Sequence, residues 1–227
     1  MTRVPLGAVA GFTNNAADMN GRDYMELLTS GPESLTGAAA IAKANSLNGS
    51  GLFVVANDVR VKPAGNLQIG AGVVFKWTAP SNRDIEVEGT LDVAGTVLEP
   101  VVFTSLLDDS VVGDSNKDGG ATQPAPGDWK GFEFSPGSGA SVLDRAVVRY
   151  AGDATFANSA IFLSAASPTI TDTVVEYSET AGLRLAFGAY PTVAGCLFRL
   201  NDLAVVGARI AALPGFDGNT AVDNVRG

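Results

Sequence analysis

Residues 106–120, LLDDSVVGDSNKDGG, place five Asp or Asn side chains within eleven positions. Asp114-x-Asn116-x-Asp118-Gly119 repeats the first half of a calcium loop, in which oxygen ligands at alternate positions converge and Gly permits the sharp turn. The twelfth position of such a loop holds Ala125 rather than a bidentate Glu, so Asp108 or Asp109 must complete the shell. A hard cation takes roughly six to eight oxygens. Asp108, Asp109, Asp114, Asn116 and Asp118, with backbone carbonyls, form a candidate calcium-ligand set of that size. The same residue types are ordinary turn formers, and a solvated corner loop without metal is the competing reading. A catalytic acid pair at Asp108 and Asp109 would need one carboxyl kept neutral in an apolar pocket. Adjacent residues in a polar loop do not offer that.

Other chemistry is narrowed by composition. The chain has no His, which excludes Ser-His and Cys-His nucleophile pairs. Cys196 is the single cysteine, so an internal disulfide and a Cys-based zinc site are excluded. No Lys, Arg or His stands where it would activate the thiol, and Cys196 reads as a small buried core residue. A net charge of −9 and no clustered Lys or Arg argue against a nucleic-acid partner. No apolar run reaches the roughly eighteen residues of a membrane span. The first twenty residues, with Arg3, Pro5 and Gly7, make a poor secretory signal. Either a signal has been removed, or the protein leaves its cell another way, as a virion component does.

The elements that must carry the loop emerge from an internal repeat. SVLDRAVVRY from Ser141, PTITDTVVEY from Pro168 and PTVAGCLFRL from Pro191 align without gaps, at offsets of 27 and 23 residues. That spacing fits coils of a parallel β-solenoid, each carrying short strands stacked on the coil before. LFVVAND, LQIGAGVVF, TLDVAG, PVVFTS, AIFLSAASP, GLRLAFG and DLAVVG are further brief apolar runs bounded by turn residues. Strand alternation assigns faces. Ala146/Thr173/Cys196, Val148/Val175/Phe198 and Tyr150/Tyr177/Leu200 are predicted inward ladders. Arg149/Glu176/Arg199 and Val147/Val174/Leu197 are predicted outward ones, the first alternating in charge between coils. An apolar outer ladder calls for cover by another element or another chain.

Before residue 50 the pattern differs. GRDYMELLTS and SGPESLTGAAAIAKAN read as helices, with Pro32 and Glu33 in a first turn and Leu35, Ala38, Ala39, Ile41 and Ala42 on one face. A solenoid end exposes its core and strand edges and must be covered, so residues 1–50 are expected to be a helical N-terminal cap on a β-helix of five or six coils spanning 51–227. FDGNTAVDNVRG looks like the start of another coil, and the C-terminal end is expected to be uncapped. The acidic stretch then joins PVVFTS to the strand around WKGFEF at a corner of the coil.

NLQIGAGVVFKW, VEGTLDVAGTVLEPVVFTSLLDDS and GDWKGFEFSPGSGASVLDRAVVRYAG resemble the right-handed parallel β-helix proteins found on or outside many bacteria, within the pectin-lyase-like superfamily. The resemblance implies an all-β, right-handed parallel β-helix and is weak for function, because that fold hosts lyases, hydrolases, adhesins and viral spikes. Its polygalacturonase-like members use a Gly-His-Gly motif, which a chain without His lacks. Its pectate-lyase-like members use calcium, acidic ligands and an Arg or Lys base; Arg149, Arg184 and Arg199 lie on later coils, but no acidic cluster accompanies them, Glu176 standing alone in the Arg149/Glu176/Arg199 row. Trp77 and Trp129 could stack on sugars or serve as packing. The expected function is a non-enzymatic structural or adhesive module on a cell surface, secreted, or on a virion. It would be calcium-stabilised and self-associating through the Val147/Val174/Leu197 ladder or the uncapped end, with polysaccharide a further candidate partner. The alternatives are a calcium-dependent polysaccharide lyase and a phage decoration or fibre protein.

Overall fold

The structure, a computed structural model, describes residues 2–17, 24–28, 34–154 and 159–226. Its described strands fall into three parallel sheets wound into a parallel β-helix. The first sheet runs from Thr2–Pro5 and Met25–Leu28 through Leu52–Val55, Val74–Trp77, Val101–Ser105, Ala146–Arg149, Val174–Glu176 and Leu197–Arg199 to Thr220–Val222. The second sheet begins at Ser34–Leu35 and ends at Leu203–Val206, and the third begins at Ala38–Ile41 and ends at Phe216–Asp217, each with seven strands. From Met25 onward the chain thus visits the three sheets in turn, coil after coil.

The predicted register holds. Val147 pairs Val174 and Val174 pairs Leu197; Val148 pairs Val175 and Val175 pairs Phe198. Parallel coils put like residues above like, so apolar side chains form columns inside the tube. One column of the first sheet reads Met25, Phe53, Phe75, Phe103, Val148, Val175 and Phe198, all of it buried. A column of the third sheet reads Ile41, Ile69, Val93, Leu143, Ile170, Val193 and Phe216. Trp77 and Trp129 stack in parallel in the core, centroids 4.3 Å apart, and neither is exposed. Their role is packing. Cys196 is likewise buried, its thiol near the Ile170 and Ala194 carbonyls, and burial pushes its pKa up.

Two expectations are corrected. The stretches expected to be helical instead form strands at Met25–Leu28, Ser34–Leu35 and Ala38–Ile41, with a single 3-10 turn at Lys43–Asn45, while Pro32 and Glu33 lie outside the described residues. Ala39 and Ile41 point into the core and Ala38 and Ala40 point out, in register with Asn66–Gly70. Pairing with an existing sheet overrides the helix preference of alanine, which is a weak prior. All three sheets therefore run unbroken across residue 50: six coils span Leu52 to Asp217, within the expected count, and a further coil from Met25 to Ile41 precedes them. The N-terminal cover includes a 3-10 turn at Leu6–Gly11 whose Leu6 and Val9 enter the core cluster.

The second correction concerns Tyr150, Tyr177 and Leu200, which do not point inward. Each takes a left-handed backbone, φ 59°, 55° and 56°, so the chain turns there and alternation no longer assigns the face. The two tyrosine rings stack 5.1 Å apart at the half-buried corner, and Leu200 is exposed. One position earlier, the charged ladder stands as predicted, with Arg199 Nε 2.6 Å and Arg149 Nη1 3.7 Å from the Glu176 carboxylate.

Candidate metal centre

The acidic stretch leaves the first sheet after Val101–Ser105 and re-enters the second at Gly131–Phe134, the corner expected from the sequence. Its take-off is fixed by packing. Leu106 buries against Tyr24, Leu52, Val54, Val74 and Val102 in a second apolar cluster on the outside of the first sheet, with Val111 and Val147 beside it.

The next residues are clasped by the coils on either side. Lys76, fully buried on the preceding coil, donates to the Asp108 carbonyl at 2.8 Å, the Gly113 carbonyl at 3.2 Å and Ser115 Oγ at 2.8 Å. Burial pulls its pKa down from 10.5 to about 8, partly opposed by the Asp108 and Asp109 carboxylates. The Asp108 carboxylate accepts from Thr104 Oγ1 at 2.7 Å and from the Ser110 backbone N–H and hydroxyl, and lies 3.2 Å from Arg149 Nε of the following coil. A buried charge persists where it is paired and hydrogen-bonded; Asp108 meets that condition through Thr104, Ser110 and Arg149, while the Lys76 ammonium is held by three neutral oxygens.

Beyond this clasp, carboxylate oxygens of Asp109, Asp114 and Asp118 lie within 4.8 Å of one another. Asp114 accepts the Asp118 and Gly119 N–H groups at 3.2 and 2.9 Å. Asp118 accepts those of Gly120, Ala121 and Thr122 at 2.8, 2.9 and 3.0 Å, as well as the Thr122 hydroxyl. Asn116 turns its amide nitrogen to Asp118 and Thr122, both at 3.0 Å. Two oxygens are left over: Asp109 Oδ1 and Asn116 Oδ1 are shielded from solvent without a hydrogen-bond partner. Loss of hydration and the Asp114 and Asp118 charges push the Asp109 carboxyl above its ordinary value, whereas the Thr122 hydroxyl and backbone N–H groups hold Asp118 below its own.

Of the five predicted ligands, the structure gathers Asp109, Asp114 and Asp118, with Asn116 bonded to the last, and engages the Asp108 carboxylate with Thr104, Ser110 and Arg149. The donor set is all oxygen, carries surplus negative charge and keeps two uncompensated oxygens, which suits a hard divalent cation. Sequence reasoning missed Lys76; its signal was a lone charge inside the otherwise apolar run VVFKW.

The three arginines considered for lyase chemistry are engaged elsewhere. Arg149 faces Asp108 and Glu176, and Arg199 faces Glu176. Arg184 lies on the second sheet, its guanidinium 5.6 Å over the Phe162 ring of the coil before. Comparison with protein-family models, curated proteins and solved structures finds no match for this chain.

Proposed function

We propose that this chain is a non-enzymatic parallel β-helix module of the pectin-lyase-like kind, structural or adhesive, acting outside a cell or on a virion, whose corner loop binds calcium. The observation that carries the reading is the loop itself. Three carboxylates converge on a scaffold locked by Lys76 and the Asp108–Arg149 pair, with Asp109 Oδ1 and Asn116 Oδ1 lacking partners. Calcium would be held by Asp109, Asp114, Asn116 and Asp118, and bound there it would neutralise their mutual repulsion.

The ligand set lacks a bidentate Glu and is partly open to solvent. Both features suit the weak, about 10⁻⁴–10⁻³ M, sites of extracellular modules, which fill at the calcium level outside cells. The remaining outer surface supports a scaffold rather than a reaction centre. Arg60–Glu86, Lys62–Glu88 and Lys130–Asp84 pair across neighbouring coils, so these charges serve the rod's own stacking. No helix among the described residues is long and apolar enough to cross a membrane.

The test is thermal melting and calcium titration of the whole chain with and without chelator. At calcium ten times the dissociation constant, binding to the fold alone adds about 1.4 kcal/mol. That raises the melting temperature by roughly 3–6 °C for a chain of this size. Asp114→Asn should abolish the gain. An unchanged melting curve and no heat of binding would overturn the calcium reading, and an unsaturated, ultraviolet-absorbing product from polyuronate would overturn the non-enzymatic one.

A further inference from the structure

The outer apolar row of the first sheet runs Leu52, Val74, Val102, Val147, Val174, Leu197. Its first half is covered by the chain itself, since Tyr24, Leu106 and Val111 pack on Leu52, Val74 and Val102, all three buried. Its second half is not covered in this way. Val147, Val174 and Leu197 keep part of their surface open, and beside them lies a groove of about 450 Å³ lined by Thr96, Val97, Pro100, Val147 and Val174, with Arg145 and Asp172 at its rim.

The turn that forms one wall of this groove also carries the most exposed aliphatic pair of the molecule's described residues, Val97 at 84% and Leu98 at 90%. The turn is braced rather than loose. Thr96 N–H donates to the Glu99 carbonyl at 3.0 Å, Thr96 Oγ1 accepts the Glu99 N–H at 3.0 Å, and the Glu99 carboxylate meets Lys43 at 2.8 Å. Two solvated aliphatic side chains on a rigid tip are unfavourable in a monomer, and so is an open apolar groove next to them.

We propose that a second copy of this chain docks on this face about a two-fold axis, the Val97–Leu98 tip of each copy filling the Val147/Val174 groove of the other. A two-fold contact uses one patch twice, so knob and hole must both lie on it; here they adjoin. The intrachain precedent fixes the chemistry, because the covered half of the same row accepts aliphatic side chains reaching over from a corner loop. Charge selects the partner. The protein carries −9 overall, and two copies repel over most of their surface. Around the groove, however, Arg145, Arg149 and Arg199 balance Asp144, Asp172 and Glu176 and alternate along the rod. A second copy therefore meets a locally neutral patch there rather than the net negative charge of the rest of the surface. This deepens the self-association within the proposed function and is independent of calcium, as no residue of the groove belongs to the acidic cluster.

The experiment is sedimentation equilibrium from low to high micromolar protein, in calcium and in chelator. The expected result is a species of twice the 23.2 kDa chain mass in both conditions. Leu98→Asp, at a fully solvated position, should leave the melting temperature unchanged and weaken the dimer at least about tenfold. Leu98→Cys and Val174→Cys proteins, mixed under oxidation, should cross-link to each other; the native Cys196 is buried and does not compete. A monomer throughout the concentration range overturns the proposal. So does a dimer indifferent to Leu98→Asp, or one in which Leu98→Cys links only to itself. A dimer that forms in calcium and dissolves in chelator would assign assembly to the acidic loop and overturn it equally.

Discussion

Lys76 and Asp108 stand 32 positions apart in the chain and meet on adjacent coils, the ammonium donating to the Asp108 carbonyl at 2.8 Å while the Asp108 side chain turns the other way, to Arg149 at 3.2 Å. Asp108 is thus the pivot at which the long corner loop is fastened to the coil above and the coil below. Local order in the loop follows from that double attachment, because a long excursion pinned near its start loses most of its conformational freedom.

Lys76 should make stability pH-dependent in a definite direction. Its folded value of about 8 lies below 10.5, so the unfolded chain holds the proton more tightly, and stability rises with pH where only the unfolded state is protonated. The burial cost of the ammonium is fully present below about pH 8 and is relieved towards about pH 10.5. Melting wild type and Lys76→Met in parallel at pH 7 and pH 10 should show the difference moving in favour of wild type at the higher pH. Equal differences at both would sink the assignment. In the variant, amide exchange at Gly113 and Ser115 should accelerate, since their carbonyl and hydroxyl lose the shared donor.

Asp109 should set the acid limit of calcium binding. Its carboxyl is raised by lost hydration and by Asp114 and Asp118, so the folded state without metal binds that proton more tightly than the unfolded chain. Its contribution to the metal-free fold is therefore present at low pH and lost as pH rises through the raised value. Calcium opposes this loss by supplying the positive charge. The calcium-induced gain in melting temperature should accordingly fade on acidification at a pH above the ordinary carboxylate range, and Asp109→Asn should weaken binding while flattening that pH dependence. Calorimetric titration of both proteins across that range decides it.

Much of this architecture was readable before any coordinates. Three aligned segments with offsets of 27 and 23 residues fixed the register because a one-residue slip would have exchanged every inward side chain for an outward one. The Val148/Val175/Phe198 column and the Arg149/Glu176/Arg199 ladder follow from that register alone. Residues 34–41 were misread because their strand character is not local. Ala38–Ile41 is held by the edge of Asn66–Gly70, and its alanines would suit a helix equally well in isolation. Tyr150 and Tyr177 were misplaced because tyrosine gives no turn signal, although its backbone there is left-handed. In the loop, the Asp114, Asn116, Asp118 spacing was legible, whereas Lys76 acquires its role only when the coils stack.

Asn201 should be among the costliest single polar positions. It is fully buried; its Oδ1 accepts the Ser178 N–H at 2.9 Å and its Nδ2 donates to the Val175 carbonyl at 2.9 Å, both on the coil before. Asn224 repeats the arrangement one coil later, accepting the Asn201 N–H at 3.0 Å and donating to the Phe198 carbonyl at 3.0 Å. Asn201→Ala leaves a buried N–H and a buried carbonyl unpaired and should cost about 1–3 kcal/mol in chemical denaturation. Asn201→Asp keeps the acceptor but loses the donor and adds a buried charge, so it should be at least as damaging at neutral pH. A loss below about 0.5 kcal/mol for both would show that water replaces the amide at no cost.

Gly95 ties the exposed tip to the solenoid and offers the last test. A Cβ at this position would sit 2.2 Å from the Arg145 carbonyl oxygen and 3.0 Å from the Val101 nitrogen, both backbone atoms of packed coils that cannot swing aside. Gly95 N–H also donates to the Asp144 carbonyl at 2.9 Å, which holds the start of the Thr96–Glu99 turn against the next coil. Gly95→Ala must therefore push the turn away from Arg145, at a cost of about 1–3 kcal/mol, and displace Val97 from the groove wall. Because the tip and the groove share this attachment, the variant should lose dimer as well as stability, whereas Leu98→Asp should lose dimer alone. Denaturant melts of the two proteins beside their sedimentation profiles separate the effects, and a Gly95→Ala protein that melts like wild type would show that the turn is not seated on the coil as described.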